Sequence, residues 1–217
     1  TCHRHMPALI RNPDFDLVGV IDRHAGLAAK VAQQHGLKYH AQTDDLHQVS
    51  WLKDVDALTI GAPPIAHHNL VTTACAMGKD VLVEKPFAMN VAEGEAMVTA
   101  AAQNNRVLAV MHNFQFSRAA DKLRRDLASG KLGTIRRIAA VQLGNPNRRL
   151  PQWFEQLPLG LFYDESPHFF YLLHWLANGS LTLQHAHSIA DRDGKNTPAA
   201  INLLYRNAAN VPVTIDC

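Results

Sequence analysis

Val55–Asp56–Ala57–Leu58–Thr59–Ile60–Gly61–Ala62–Pro63–Pro64 and Gly78–Lys79–Asp80–Val81–Leu82–Val83–Glu84–Lys85–Pro86 are the two stretches whose reading decides the fold. Each carries a short apolar run rich in β-branched residues that breaks abruptly into polar or proline residues. Such continuous runs are expected where helices bury both faces of a parallel strand. Leu17–Ile21 and Val107–Met111 have the same character. Between the runs lie amphipathic stripes: Leu27, Ala28, Val31 and Ala32 stop at Gly36, and Leu70, Val71, Ala74 and Cys75 stop at Gly78. Glycine just past a helix is the usual left-handed stop. Asn90 with Glu93 reads as a capping box opening a third helix, and Met6–Ile10 reads as a further one ahead of the turn Asn12–Pro13. The order αβαβαβαβ predicts a doubly wound parallel sheet, with the strand before the first helix missing.

The second half changes character. A helix carrying Leu123 and Leu127 stops at Gly130, and Ile135–Leu143, Leu181–Ala190, Ala199–Tyr205 and Val211–Asp216 read as longer strands. One strong helix interrupts them, with Phe169, Leu172, Leu173 and Leu176 on one face. Successive strands without crossover helices predict a mainly antiparallel or mixed sheet, hence a second domain. The division falls at residues 1–112 and 113–217.

With 217 residues, 47% of them apolar, the chain is long enough for a sizeable core. A net charge of +2 and a pI of about 8.5 raise the question of nucleic acid. Its basic pairs, Arg124–Arg125, Arg136–Arg137 and Arg148–Arg149, are scattered rather than gathered in a stripe, which argues against that partner. Cys2, Cys75 and Cys217 form no Cys-x-x-Cys pattern, which suits a reducing, cytoplasmic setting. The histidine pairs His3/His5, His67/His68 and His185/His187 lack a third ligand at useful spacing, so no metal is expected. No apolar run reaches the ~18 residues of a membrane helix. The chain opens at Thr1 and closes on the strand-like alternation Val211–Cys217, so both ends read as cut.

Ligands of open α/β sheets bind at the carboxyl ends of the strands. The four runs lead in turn into Asp22–Arg23, into Ala62–Pro63–Pro64 with His67, into Glu84–Lys85–Pro86 and into His112–Asn113. A carboxylate at Asp22 can accept two hydrogen bonds from a ribose diol, which favours NAD over NADP, although Arg23 could offset the charge of a 2′-phosphate. The phosphate-binding glycines belong ~20 residues before such an acid, at or before the start of this chain. Lys85 offers an ammonium to polarise a substrate oxygen. Asp164 and His168 share a helix face if the helix includes both, whereas Ser166 as cap and Pro167 as first residue would leave Asp164 just outside. In either case a carboxylate lies beside an imidazole, a suitable acid/base pair.

These motifs, together with Asp164-x-x-x-His168 ahead of Trp175–Leu176, resemble the Gfo/Idh/MocA oxidoreductases, over essentially the whole chain. The resemblance implies a nicotinamide-binding Rossmann domain, here without its first strand and glycine loop, followed by an α+β domain. The large, mainly antiparallel open sheet of that second domain, truncated here, lines the substrate pocket and joins subunits into a dimer or tetramer. It also implies an NAD(P)-dependent dehydrogenase that moves a hydride between the nicotinamide and a carbinol or carbonyl of a small sugar, polyol or derivative. Lys85, Asp164 and His168 match the catalytic residues. Asp22 matches the ribose acid, Pro63, Pro64 and His67 the loop beside the cofactor, and Glu84 the residue near the nicotinamide ribose; Arg23, Ala62, Lys85 and Asn113 complete the expected cofactor set. Departures are Ala62 for the usual Thr or Ser, Asn113–Phe114–Gln115 for Asn-x-Arg, and Tyr171 where an acidic residue often stands three after the histidine. A non-catalytic cofactor-sensing protein, or an inactive fragment of such an enzyme, is the alternative.

Overall fold

A computed structural model of the chain describes residues 5–144, 152–190 and 198–217. Cys2, His3, Arg148 and Arg149 lie outside the described residues. The chain separates into two compact units, Thr1–Val110 and Met111–Cys217.

In the first unit, helix α1 (His5–Arg11) leads to β1 (Gly19–Ile21), α2 (Leu27–His35) and β2 (Tyr39–Ala41). Then come β3 (Ala57–Ile60), α3 (His67–Ala76), β4 (Asp80–Val83), α4 (Val91–Gln103) and β5 (Leu108–Val110). Among the described residues all its pairings are parallel, in two ladders, β1-β2 and β3-β4-β5. Strand β2 corrects the expected order, which ran from α2 directly to β3: no apolar run marks it, and two 3₁₀ turns at Leu46–Gln48 and Ser50–Asp54 connect it to β3. Its formation depends on its partner. Gly19 in β1 lies under the Trp51 ring, which stacks on Tyr39 of β2 with centroids 5.3 Å apart.

The helix ends obey local chemistry. Gly36 stops α2 at φ 66° and Gly78 lies beyond α3 at φ 73°. Asn90 caps α4 by accepting from the Glu93 N–H at 2.9 Å, while the Glu93 carboxylate reaches back to the Met89 N–H at 3.0 Å, one residue before the expected donor. Val71, Ala74, Cys75, Val81, Val83 and Met97 are buried between α3, α4 and the strands. Lys79 is buried with them, donating from Nζ to the Val55 carbonyl at 2.7 Å.

The second unit holds α5 (Arg118–Ala128), β6 (Ile138–Val141), α6 (Leu161–Leu176), β7 (Leu181–Ile189), β8 (Ala200–Asn207) and β9 (Pro212–Asp216). Its sheet runs β6-β9-β8-β7, antiparallel except for the β6/β9 pair. Leu173 of α6 packs on Val213 and Ile215 of β9, joined by Phe169, Leu203 and Tyr205. Along β7, Thr182–Ile189 is exposed. Among the described residues no helix is long and apolar enough to cross a membrane.

Helix α6 settles where Asp164 stands. It starts at Leu161, after Gly160 at φ 52°, and Pro167 lies inside it rather than at its first position. An interior proline forfeits one helix hydrogen bond, at a cost of ~3 kcal/mol. The burial of Asp164, Ser166, His168 and Leu173 along one continuous helix accompanies that loss.

Candidate functional site

In the first unit the register pairs Ile60 with Val83 and Val83 with Val110, so β3, β4 and β5 finish level with one another. Gly61–Ala62–Pro63 and Glu84–Lys85 therefore leave the sheet at one edge, and the Glu84 N–H donates to the Ile60 carbonyl at 2.9 Å. Pro64 is buried at the start of a 3₁₀ turn feeding α3, while Ala62 and Pro63 are half-buried.

Glu84 is tightly fixed. One carboxylate oxygen lies 2.8 Å from Nε2 of His5, and the other accepts the Lys85 N–H at 3.0 Å. Burial pushes its pKa up, but the His5 contact and the Lys85 amide and charge outweigh this and leave it below the ordinary glutamate value. Sequence reading missed His5 in this role, because 79 residues separate it from Glu84 and nothing local marks the pair. Nδ1 of His5 is buried and has no hydrogen-bond partner among the described residues. The Lys85–Pro86 peptide is cis, and Lys85 is half-buried.

His67 is fully buried, its Nε2 2.9 Å from the Ala62 carbonyl and its Nδ1 3.2 Å from that of Phe87. The ring thereby joins the loop after β3 to the loop after β4. Burial lowers its pKa more than the two carbonyls raise it, which favours the neutral ring.

At the end of β1, the Asp22 N–H donates to the Ala41 carbonyl at 3.1 Å. Its Oδ1 accepts the His24 N–H at 2.8 Å and lies 2.8 Å from His24 Nδ1. Oδ2 takes no bond among the described residues, and Arg23 is exposed. His24 is a neighbour that the sequence reading did not single out.

In the second unit, Asp164 and His168 are both buried, one turn apart on α6. The 3₁₀ segment Asn113–Phe116 brings further groups to this helix. Asn113 itself is exposed, but the Phe114 ring stacks on His168 at 4.1 Å and the His112 ring on Tyr171 at 4.4 Å. Tyr171 Oη lies 2.8 Å from His168 Nδ1 and accepts the Phe114 N–H at 3.0 Å. Burial raises the Tyr171 pKa against the effect of that amide, and burial lowers that of His112. No group of three or more His, Cys, Asp or Glu side chains suited to a metal occurs among the described residues.

Comparison with known proteins places this geometry in a family. Residues 2–112 match the Gfo/Idh/MocA family, described as an oxidoreductase family with an NAD-binding Rossmann fold. An uncharacterised oxidoreductase of Synechocystis sp. is 29% identical over 192 residues, 86% of this chain and 51% of that protein. A scyllo-inositol 2-dehydrogenase (NADP(+)) of Bacillus subtilis is 35% identical over 127 residues, 58% of this chain and 38% of that protein. The chain therefore spans about half the length, or less, of these relatives. Among solved structures, the fold matches an aldose-aldose oxidoreductase from Caulobacter crescentus with a TM-score of 0.84 at 19% identity, over 99% of this chain and 66% of that one. A 3-ketoreductase from Actinomadura kijaniata, solved with NADP, matches with a TM-score of 0.79 at 20% identity, over 97% of this chain and 63% of that one. The parallel strands ending on Glu84–Lys85, the mixed sheet of the second unit and the matched residues 2–112 agree: the chain belongs to the Gfo/Idh/MocA family of oxidoreductases.

Proposed function

We propose that the protein to which this chain belongs works as an NAD(P)-dependent dehydrogenase on the CH–OH group, or the corresponding carbonyl, of a small polyhydroxylated substrate. The observation that carries the reading is the edge where β3 and β4 finish level, with Lys85 next to a Glu84 anchored by His5. The names of the relatives, a scyllo-inositol dehydrogenase and an aldose oxidoreductase, point to polyol and sugar substrates.

The donor set fits the ribose ends of a nicotinamide dinucleotide. Asp22 Oδ2 suits a ribose hydroxyl, and Glu84 and Lys85 suit the nicotinamide end, with Ala62, Pro63, Arg23 and Asn113 as further candidates. His67 contributes by holding the Ala62 and Phe87 loops rather than by exposing its ring. When bound, the dinucleotide supplies the hydride acceptor or donor. In the oxidation direction His168 takes the hydroxyl proton, the Lys85 ammonium stabilises the developing alkoxide, and Asp164 orients the base or the substrate. The carboxylate at Asp22 makes NAD the preferred form. Cytoplasmic residence, and assembly as a dimer or tetramer through the open β6-β9-β8-β7 sheet, complete the reading. The exposed length of β7 supports the latter.

The presence of Lys85 and of a buried Asp164–His168 pair favours this over a cofactor sensor without turnover. In the full-length protein Lys85→Met is expected to lower kcat by ~10²-fold or more with cofactor affinity nearly unchanged. His168→Asn is expected to slow turnover by ~10²-fold or more and to remove the acidic limb of the pH profile. Both are measured by NAD(P)H absorbance with scyllo-inositol and aldoses, cofactor binding being titrated separately. Near wild-type turnover in the lysine variant overturns the mechanism.

A further inference from the structure

We propose that Tyr171 is the positioning residue of His168, its hydroxyl holding Nδ1 so that the ring exchanges protons through Nε2. The inference rests on His168 being the proton-transferring group.

The geometry leaves the ring little freedom. Tyr171 comes three residues after His168 on α6, so both side chains lie on one helix face. Tyr171 Oη is 2.8 Å from Nδ1, and the Phe114 ring covers one face of the imidazole at 4.1 Å with an interplanar angle of 16°. The Tyr171 oxygen is itself anchored by the Phe114 N–H at 3.0 Å, and its ring is stacked on His112 at 4.4 Å. Residues 112 and 114 thus fix the tyrosine and the histidine together, and the partner of Nδ1 cannot swing away without breaking a stack and a backbone hydrogen bond.

The proton count sets the chemistry. A phenol has one hydrogen and two lone pairs. One lone pair takes the Phe114 N–H, and the other can accept Nδ1–H. That second bond selects the neutral form in which Nε2 carries the lone pair a base needs, and it persists when the ring becomes an imidazolium. Among the described residues, the titratable groups near the ring include Asp164, one turn before it, and Tyr171 on α6 and His112 on the segment packed against it, with Glu165 next in sequence to Asp164. Arg124 of α5 is engaged over Trp175, two turns along the helix. Because the Nδ1 partner is a neutral oxygen, it orients the ring and supports its charge by a dipole rather than by a full negative charge.

The test is nitrogen NMR of the full chain labelled at its histidine imidazoles, with His168→Asn identifying the signals of His168. In Tyr171→Phe the expected result is a shift of the neutral ring towards the Nε2–H form. Its titration midpoint should also fall by roughly 0.5–1 unit, the effect of losing one hydrogen bond to the charged form. Signals and midpoint superimposable on wild type overturn the proposal. Should Tyr171→Phe fail to fold, 4-fluorophenylalanine at 171 keeps the ring and most of the hydroxyl's volume while removing the oxygen as an acceptor. A lowered midpoint then supports the proposal and an unchanged one overturns it. The functional reading is judged separately: full turnover in His168→Asn would remove the base while leaving the tyrosine's hold on Nδ1 measurable.

Discussion

Replacing His67 with leucine isolates the contact that ties the two loops at the β3 and β4 ends. The side chain is fully buried and of similar size, so the change is chiefly the loss of the ring's polar contacts, Nε2 with the Ala62 carbonyl at 2.9 Å and Nδ1 with the Phe87 carbonyl at 3.2 Å. A neutral imidazole has a single N–H, and the shorter contact assigns it to Ala62. Stranding that part-buried carbonyl costs up to ~1–3 kcal/mol at pH 8. The pH dependence then discriminates. The folded-state pKa of His67 is depressed by burial, so below the unfolded value of ~6.5 the unfolded chain binds a proton that the folded chain refuses. Wild-type stability therefore falls with pH through that window, by up to ~1.4 kcal/mol per unit, and the leucine variant lacks this component. Urea unfolding followed by circular dichroism at pH 8 and pH 5.5 should show the gap between the two proteins narrowing by ~1 kcal/mol or more on acidification, as long as the folded ring stays neutral. His112, also depressed by burial, is common to both proteins and cancels in the difference. A gap that widens at pH 5.5 would refute the reasoning, because it would mean an imidazolium donating to both carbonyls.

Gly19→Ala should destabilise by ~1–3 kcal/mol, since the added Cβ would lie 2.7 Å from Trp51 Cη2 and 3.0 Å from Tyr39 Cβ. A lowered urea midpoint checks it, and an unchanged midpoint would show that the indole moves aside freely. Calorimetric titration of the full-length protein with NAD and NADP should show wild type preferring NAD and Asp22→Ala narrowing the ratio. A wild-type preference for NADP would remove Asp22 as the discriminating group.

The sequence by itself determined the strands whose burial is two-sided and the helices whose ends are local. Val81–Val83 is apolar throughout because helices cover both faces of β4, and Gly36, Gly78 and Asn90 mark their helix ends through backbone conformation and capping alone. The polar residues at the strand ends were legible for the same reason: parallel topology gathers the residues just past each run at one edge. Tertiary structure decided the rest. Strand β2 has only Tyr39, His40 and Ala41, too short for a period to show, and it exists through its pairing with β1 and the Trp51 ring. The local signal at Ser166–Pro167 marked a helix start that α6, beginning at Leu161, overrides. Partner choice was the least legible. His5 with Glu84 and Phe114 with Tyr171 lie 79 and 57 residues apart, and a hydrogen bond between distant residues leaves no trace in the spacing of either. Asp164 and His168 could be named from their four-residue spacing, but the phenol that holds the imidazole was visible only once α6 and the segment at residues 112–114 were packed together.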